Sequence, residues 1–172
     1  MDRISDLVAQ HVRELGFNAW ANRATWDALR AARVTPTKAI AVLAHIAGAE
    51  SLWLTRLQQS DPMVKVWPAM SLADIDRELR SLAAIWRTRC QELSATELER
   101  EVSYTNSKGE HWRNRVSDIL AHVTLHSSHH RGQICHFLAA TGEKPPYVDY
   151  IECVRRGHLE QGWPKDLEWT AG

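Results

Sequence analysis

The chain has 172 residues, of which 44% are hydrophobic and 24% are charged, enough for one globular domain with a sizeable core. Lysine plus arginine and aspartate plus glutamate balance at 21 each, which excludes the basic excess that drives binding to nucleic acid or to an acidic membrane surface. Three widely spaced cysteines (Cys90, Cys135 and Cys153) and the lack of an apolar N-terminal segment predict a cytoplasmic protein with reduced thiols.

Two long helices are predicted in the first third of the chain. Apolar residues recur at a spacing of about 3.6 over residues 3–32, which indicates one helix, bent near Gly16. Thr35 as N-cap and Pro36 as first helical residue indicate that a second helix occupies 35–59. Apolar residues surround this second helix, so it should be well buried, and no apolar run in it is long enough to span a bilayer.

A third helix and a hairpin are predicted next. A loop with two prolines over 60–70 precedes the third helix, 71–93, which begins at Ser71 as N-cap and has an acidic first turn. Residues 101–115 place strand-forming side chains on either side of the turn 106–109, which is typical of a hairpin.

The last long helix completes the predicted architecture. It spans roughly 114–140 and ends before Gly142. A short helix is expected within 147–157, followed by an irregular tail over 158–172. We therefore predict a single all-α domain over 1–172, a four-helix bundle with a small hairpin before its last long helix. Bundles of this kind build metal sites from side chains on facing helices.

Five of the nine histidines lie within fifteen residues of the fourth helix, at positions 122, 126, 129, 130 and 136. Residues four apart share a helix face, so His126 pairs with His130 or, equally, with His122. Two imidazoles at this spacing form a bidentate site for zinc, nickel or iron, and a third ligand must come from another helix. His45 is the only histidine of the second helix. The alternative is that these are solvated or hydrogen-bonded core histidines.

Other side chains near the cluster are assigned supporting roles. Gln133 lies within about 20° of the His126 direction and is predicted to hydrogen-bond near the site, whereas His129 points about 60° away. Trp53 could border a pocket at the metal, although core packing is the default for this residue. The same default applies to three further tryptophans, Trp20, Trp26 and Trp86.

Three residues that follow the histidine pair are also interpreted. Gly132 costs about 1 kcal/mol in mid-helix relative to alanine, which predicts close helix packing at this position. Arg131 is expected either to pair with a carboxylate such as Glu50 or Asp149 or to lie solvated at the surface. Cys135 is expected in the core. The chain lacks HExxH, Glu-x-x-His and the glycine-rich phosphate loops, so their chemistries are not predicted.

Four stretches of the chain resemble the DinB family: 43–57, 102–110, 119–134 and 142–151, with HSSHHRGQ at 126–133 as the most distinctive match. The resemblance implies an up-down-down-up four-helix bundle that commonly forms a homodimer. It also implies a divalent metal held by three histidines, which fall on His45, His126 and His130. His122, His129, Gln133 and Trp53 are then expected around the ligands.

A three-histidine site leaves a position open, which is the arrangement of a catalytic metal. The metal could lower the pKa of a bound water towards ~7 for nucleophilic attack, or it could hold a thiolate. The wider superfamily includes a mycothiol-dependent maleylpyruvate isomerase and bacillithiol S-transferases. We therefore expect a metal-dependent enzyme that transfers a low-molecular-weight thiol or hydrolyses a small substrate. The alternatives are a non-enzymatic, metal-binding stress-response dimer and a purely structural bundle.

Overall fold

The computed structural model describes residues 3–60, 64–106 and 108–164, and the protein is mostly helical, at 67%. The predicted all-α bundle is confirmed. The elements in chain order are α1 (Arg3–Ala31), α2 (Thr37–Leu57), α3 (Leu72–Glu92), α4 (Ala95–Glu99), β1 (Glu101–Thr105), β2 (His111–Arg115), α5 (Val116–Ala140) and α6 (Tyr150–Arg155).

The four long helices run up, down, down and up. The C-terminal part of α1 meets the start of α3, where Trp26 donates a hydrogen bond to the carbonyl of Leu72, so these two helices are antiparallel. Helix α2 is antiparallel to α5, because His45 contacts His130 whereas Trp53, farther along α2, contacts the earlier His122. Both α3 and α5 pack against α1 and α2. The topology is the one implied by the DinB resemblance.

Helix α2 is the most buried of the long helices. Nine consecutive residues, 42–50, are buried, which agrees with its apolar composition on all sides. By length and composition alone, α2 could span a membrane, with a mean hydropathy of 1.2. However, 61% of its most apolar 18-residue stretch is buried inside the bundle. Core packing therefore accounts for its hydrophobicity.

Element boundaries differ slightly from the predictions. Helix α2 begins one residue later than expected, with Pro36 as N-cap, and the Thr35 hydroxyl instead donates to the Leu29 carbonyl. Ser71 caps α3 as predicted, in a capping box with Asp74. Strand β2 extends to Arg115, so α5 starts at Val116 and not near residue 114. The short α4 was not predicted, because five residues are too few to show a helical period.

The N-terminal helix continues through Gly16, where the absence of a side chain admits the C-terminal segment. A Cβ at this position would lie 2.8 Å from the Gly162 carbonyl oxygen and 3.0 Å from Pro164. Beside it, Trp163 packs into the main core. The predicted irregular tail is thus, over residues 158–164, a series of turns that packs on α1. The rest of the tail, 165–172, lies outside the described residues.

Two core predictions were only partly right. Trp26 and Trp86 are buried, but Trp20 and Trp53 are half-buried and each borders other rings. Cys135 is also half-buried, with its thiol 3.9 Å from the Pro146 carbonyl, so it belongs to the boundary of the bundle and not to its core.

Candidate metal centre

Three histidine side chains from two antiparallel helices, α2 and α5, converge between these helices. His126 and His130 lie one helical turn apart on α5, and His45 faces them from α2. The Nε2 atom of His126 lies 3.2 Å from that of His45 and 3.1 Å from that of His130. One ligand atom from each residue lies within 4.8 Å of the other two, so this cluster could hold a metal ion.

The hydrogen bonds of the outer ring nitrogens fix the orientation of two of these imidazoles. The Nδ1–H of His45 donates to the carbonyl oxygen of Val66 at 2.8 Å. The Nδ1–H of His130 donates to the Oε1 atom of Gln133 at 2.9 Å. Because an imidazole that is neutral carries one proton, both Nε2 atoms are left with free lone pairs directed into the cluster. This is the tautomer that a metal ligand requires.

The donor set fits a divalent cation. Three Nε2 atoms face one another. A proton on the Nε2 atom of His126 cannot provide a hydrogen-bond donor for every facing lone pair, whereas a cation attracts all three lone pairs. With Zn–N bonds of about 2.0–2.1 Å, tetrahedral ligands lie about 3.3 Å apart, close to the two separations found here. An all-imidazole set suits zinc, iron or nickel better than magnesium or calcium, which prefer oxygen ligands.

The buried environment favours the neutral form of two of the ligands, His126 and His45. Burial, first, and the neighbouring His130 and His45 lower the pKa of His126 to about 4. Burial also lowers the pKa of His45, which is 5% exposed, and outweighs the opposing effect of its hydrogen bond to Val66. Protons therefore compete weakly with a metal for these nitrogens near neutral pH.

A loop that was not assigned to the site holds His45 in place. The indole of Trp67 stacks on the His45 ring, with centroids 3.8 Å apart and an angle of 5° between the planes. This loop approaches α2 closely at Gly48, where a Cβ would lie 2.7 Å from the Lys65 carbonyl oxygen and 2.9 Å from Pro68. Gly48 thus allows the loop to bring Val66 and Trp67 to His45. The sequence signal for this loop contact is Gly48 itself, a glycine three residues after His45 inside a largely apolar helix.

Three of the residues expected around the ligands, His122, His129 and Gln133, contact a clustered histidine, and the fourth, Trp53, contacts His122. Gln133 connects two histidines, since its Oε1 accepts from His130 and its amide lies 3.2 Å from His129 Nε2. His129 itself is exposed. The His122 ring lies 5.3 Å from the His126 ring and 5.2 Å from that of Trp53. The pair of His126 with His130, and not with His122, therefore belongs to the cluster, while His136 is exposed farther along α5.

Directly behind the ligands lies a buried polar network that joins α1, α2 and α5. Oε1 of Glu50 accepts hydrogen bonds from the amides of Asn18 and Asn22, at 2.8 and 2.7 Å, and from the Ser127 hydroxyl at 3.2 Å. The Arg131 guanidinium donates to the amide oxygens of the same two asparagines, at 2.6 and 2.7 Å. Two asparagines four residues apart on a buried face of α1 were the sequence signal for this network.

This network joins a buried carboxyl group, Glu50, to a buried guanidinium, Arg131, through two amides. Burial raises the pKa of Glu50, opposed by its hydrogen bonds and by Arg131, and burial lowers the pKa of Arg131 to about 10, which leaves the guanidinium charged at neutral pH. Ser127 and Arg131 directly follow His126 and His130 in the sequence. The network therefore fixes the positions of α2 and α5 relative to each other at the level of the ligands.

Two predictions for this segment are corrected. Arg131 is 1% exposed, so it is not solvated, and it reaches Glu50 through Asn18 and Asn22 rather than directly. Gly132 does not permit close helix packing, because a Cβ at this position would have no atom within 4 Å. The close approach that was expected there occurs at Gly48 instead.

Comparisons with known proteins agree with this architecture. A sequence profile described as the DinB family matches residues 10–157, which is most of the chain and includes all three clustered histidines. A comparison with curated proteins found no match.

Proposed function

The chain belongs to the DinB family, and we propose from this premise that it is a divalent-metal-dependent enzyme acting on a small molecule. The observation that carries the proposal is the convergence of three Nε2 atoms on one point, with two of the imidazoles oriented by hydrogen bonds on their far side. A site with three protein ligands keeps at least one coordination position for a substrate.

The reaction classes we propose are transfer of a low-molecular-weight thiol and hydrolysis of a small substrate. A divalent cation held by His45, His126 and His130 would supply Lewis acidity, either towards a carbonyl group or towards a thiol. Three neutral imidazoles do not offset the charge of the cation, so an anionic group of the substrate is favoured at the open position. The chain has no net charge, which supports a small-molecule partner over nucleic acid.

Metal analysis and an activity panel test this proposal. Untagged wild-type protein should retain about one divalent ion per chain after dialysis, with zinc, nickel and iron all measured, and His126→Ala should not. Equal metal content in the two proteins would refute the site. The metal-loaded protein is then assayed against thiols paired with electrophiles, and against small esters and amides. Turnover that disappears with chelation and returns with metal supports the enzyme.

A second candidate is a metal-binding dimer without catalysis, as in a cytoplasmic stress response. It is favoured by exposed apolar side chains on α5 and α6: Leu125 at 69%, Ile151 at 49% and Tyr150 at 39%. Side chains of this kind are commonly covered in a homodimer. Full metal loading with no turnover across the panel, together with a dimer whose dissociation follows Leu125→Asp, would favour this candidate.

A further inference from the structure

A cavity of about 230 Å³ lies between α2, the hairpin and α5. It is lined by Trp53 from α2, by Tyr104 and Asn114 from the two strands, and by Asp118, Ile119 and His122 from α5. None of the three clustered histidines lines it. Its volume exceeds the roughly 150 Å³ of an apolar cavity known to hold benzene, so a substituted six-membered ring can enter.

The cavity is next to the candidate metal centre along α5. His122 lines the cavity, and its ring lies 5.3 Å from the ring of His126, which belongs to the cluster. Asp118, His122 and His126 follow one another at four-residue intervals on α5, so they form one stripe from the cavity to the cluster. A molecule bound at the cluster could therefore extend along this stripe into the cavity.

Aromatic walls give the cavity a preference for flat, apolar groups. The rings of Trp53 and Tyr104 meet edge to face, with centroids 5.2 Å apart. The guanidinium of Arg56 lies 4.5 Å from the Trp53 ring and 4.3 Å from the Tyr104 ring, and it also donates to the Thr105 carbonyl. Arg56 thus connects α2 with the hairpin and holds both rings, so the aromatic walls of the cavity are preorganised for a ligand.

Polar groups at the cavity wall are available for substituents on such a ring. The Asn114 Oδ1 atom accepts from the Tyr104 hydroxyl at 2.8 Å, which orients the amide and leaves its NH₂ group to donate. Within the described part of the chain, the side chains of Asp118 and His122 form no hydrogen bond or ion pair with other protein groups. A wall with aromatic faces and a few oriented polar groups is typical of a small-molecule site.

We propose that this cavity binds the aromatic ring of a ligand whose donor group occupies the open position at the metal. The substrate class is then a small aryl compound with an anionic metal-binding group next to the ring. This inference rests on the proposed metal centre, and it adds the residues that select the substrate: Trp53 and Tyr104 as the walls of the ring site.

A pair of hydroxamates separates the ring site from the metal centre. Acetohydroxamate and benzohydroxamate carry the same metal-binding group, and only the second carries a ring. Binding to zinc-loaded full-length protein is measured by calorimetry, with zinc retention checked after gel filtration. Benzohydroxamate should bind at least ~10-fold more tightly, a difference expected from burial of an apolar ring. Trp53→Ala and Tyr104→Leu should reduce the ratio to about one and leave acetohydroxamate affinity unchanged, whereas Trp53→Phe should keep most of the ratio.

Each other outcome has a definite meaning. Equal affinity of wild-type protein for both hydroxamates would overturn the ring site but leave the metal centre intact. A preference for benzohydroxamate that persists in both Trp53→Ala and Tyr104→Leu would place the ring elsewhere and also overturn the inference. If neither compound binds zinc-loaded protein, the open coordination position fails, and the ring site fails with it. Tyr104 lies on the hairpin, so its variant keeps the test decisive if Trp53→Ala does not fold.

Discussion

The Nε2 atoms of His45 and His126 lie 3.2 Å apart, although 81 residues separate the two histidines in the sequence. Neither helix can enforce this approach alone. The Val66 carbonyl and the Trp67 indole orient His45 from one side, and the Glu50–Arg131 network sets the depth of α5 from the other. The centre is therefore held in place by the packing around it.

The three clustered histidines should contribute far more to metal binding than the histidines beside them. We expect His45→Ala to lower zinc affinity by at least ~100-fold, because one of three ligands is lost. His129→Ala should change it by less than ~10-fold, since His129 is exposed and contacts Gln133 and the edge of the His130 ring without belonging to the cluster. Competition titration against a fluorescent zinc chelator measures both. A larger effect for His129→Ala would overturn the ligand assignment.

Gly48→Ala should weaken zinc binding without replacing a ligand. A methyl group at Gly48 meets the Lys65 carbonyl at 2.7 Å, so the loop must retreat and take the partners of His45 with it. We expect an affinity loss of about 10-fold or more, the range found when outer hydrogen-bond partners of ligands are removed. The absorption spectrum of the cobalt-substituted protein should also change.

Gly132→Ala is the matched control, on the helix that carries two of the ligands. No atom lies within 4 Å of the added methyl group, so zinc affinity should stay the same. The free energy of unfolding should rise by about 1 kcal/mol, because alanine favours the helix. Destabilisation by Gly132→Ala, or unchanged zinc affinity in a folded Gly48→Ala protein, would contradict this account of the two glycines.

Gln133 should act through His130. Gln133→Leu removes the oxygen that accepts from the His130 Nδ1–H, and we expect zinc affinity to fall by about 10-fold. Gln133→Glu keeps an acceptor at the same place, so it should restore most of the affinity. If the leucine and glutamate variants bind zinc equally, the hydrogen bond does not position the ligand.

Breaking the buried network should destabilise the whole bundle. Glu50→Leu leaves Arg131 buried without its counter-charge and two asparagine amides without an acceptor, so we expect a loss of about 3–5 kcal/mol in urea unfolding. Replacing both Glu50 and Arg131 with leucine should cost less than the sum of the two single changes. Strict additivity would show that the two charges do not interact.

The metal-free protein should lose stability as the pH falls below about 6.5. Since the pKa of His126 is lowered to about 4 in the folded state, the unfolded chain binds a proton between its ordinary pKa of about 6.5 and pH 4 while the folded protein does not. Acidification therefore stabilises the unfolded state relative to the folded state. Urea unfolding between about pH 5 and pH 7 measures this slope, which should be shallower in His126→Leu. Equal slopes would contradict the lowered pKa.

The sequence predicted the long elements well and the contacts between them poorly. Periodicity located all four long helices, and the turn residues located the hairpin, because these signals depend on neighbouring residues. Helix ends were misplaced by a residue or two at Thr35 and near residue 114, where alternative caps and a continuing strand decide the boundary. Gly132 was misread because a glycine in mid-helix does not reveal which neighbour, if any, approaches it.

The placement of His126 and His130 on one face of α5 was determined by the sequence itself, since four residues in a helix return the side chain to nearly the same direction. The sequence also determined membership in the DinB family. The family resemblance, and not the spacing, selected this pair over His122 with His126, and the structure brings the pair to His45. Only the tertiary structure decided that Val66, Trp67, Gly48, Asn18 and Asn22 support the site. Those contacts join distant segments, and they follow from how the helices and the loop pack rather than from any local spacing.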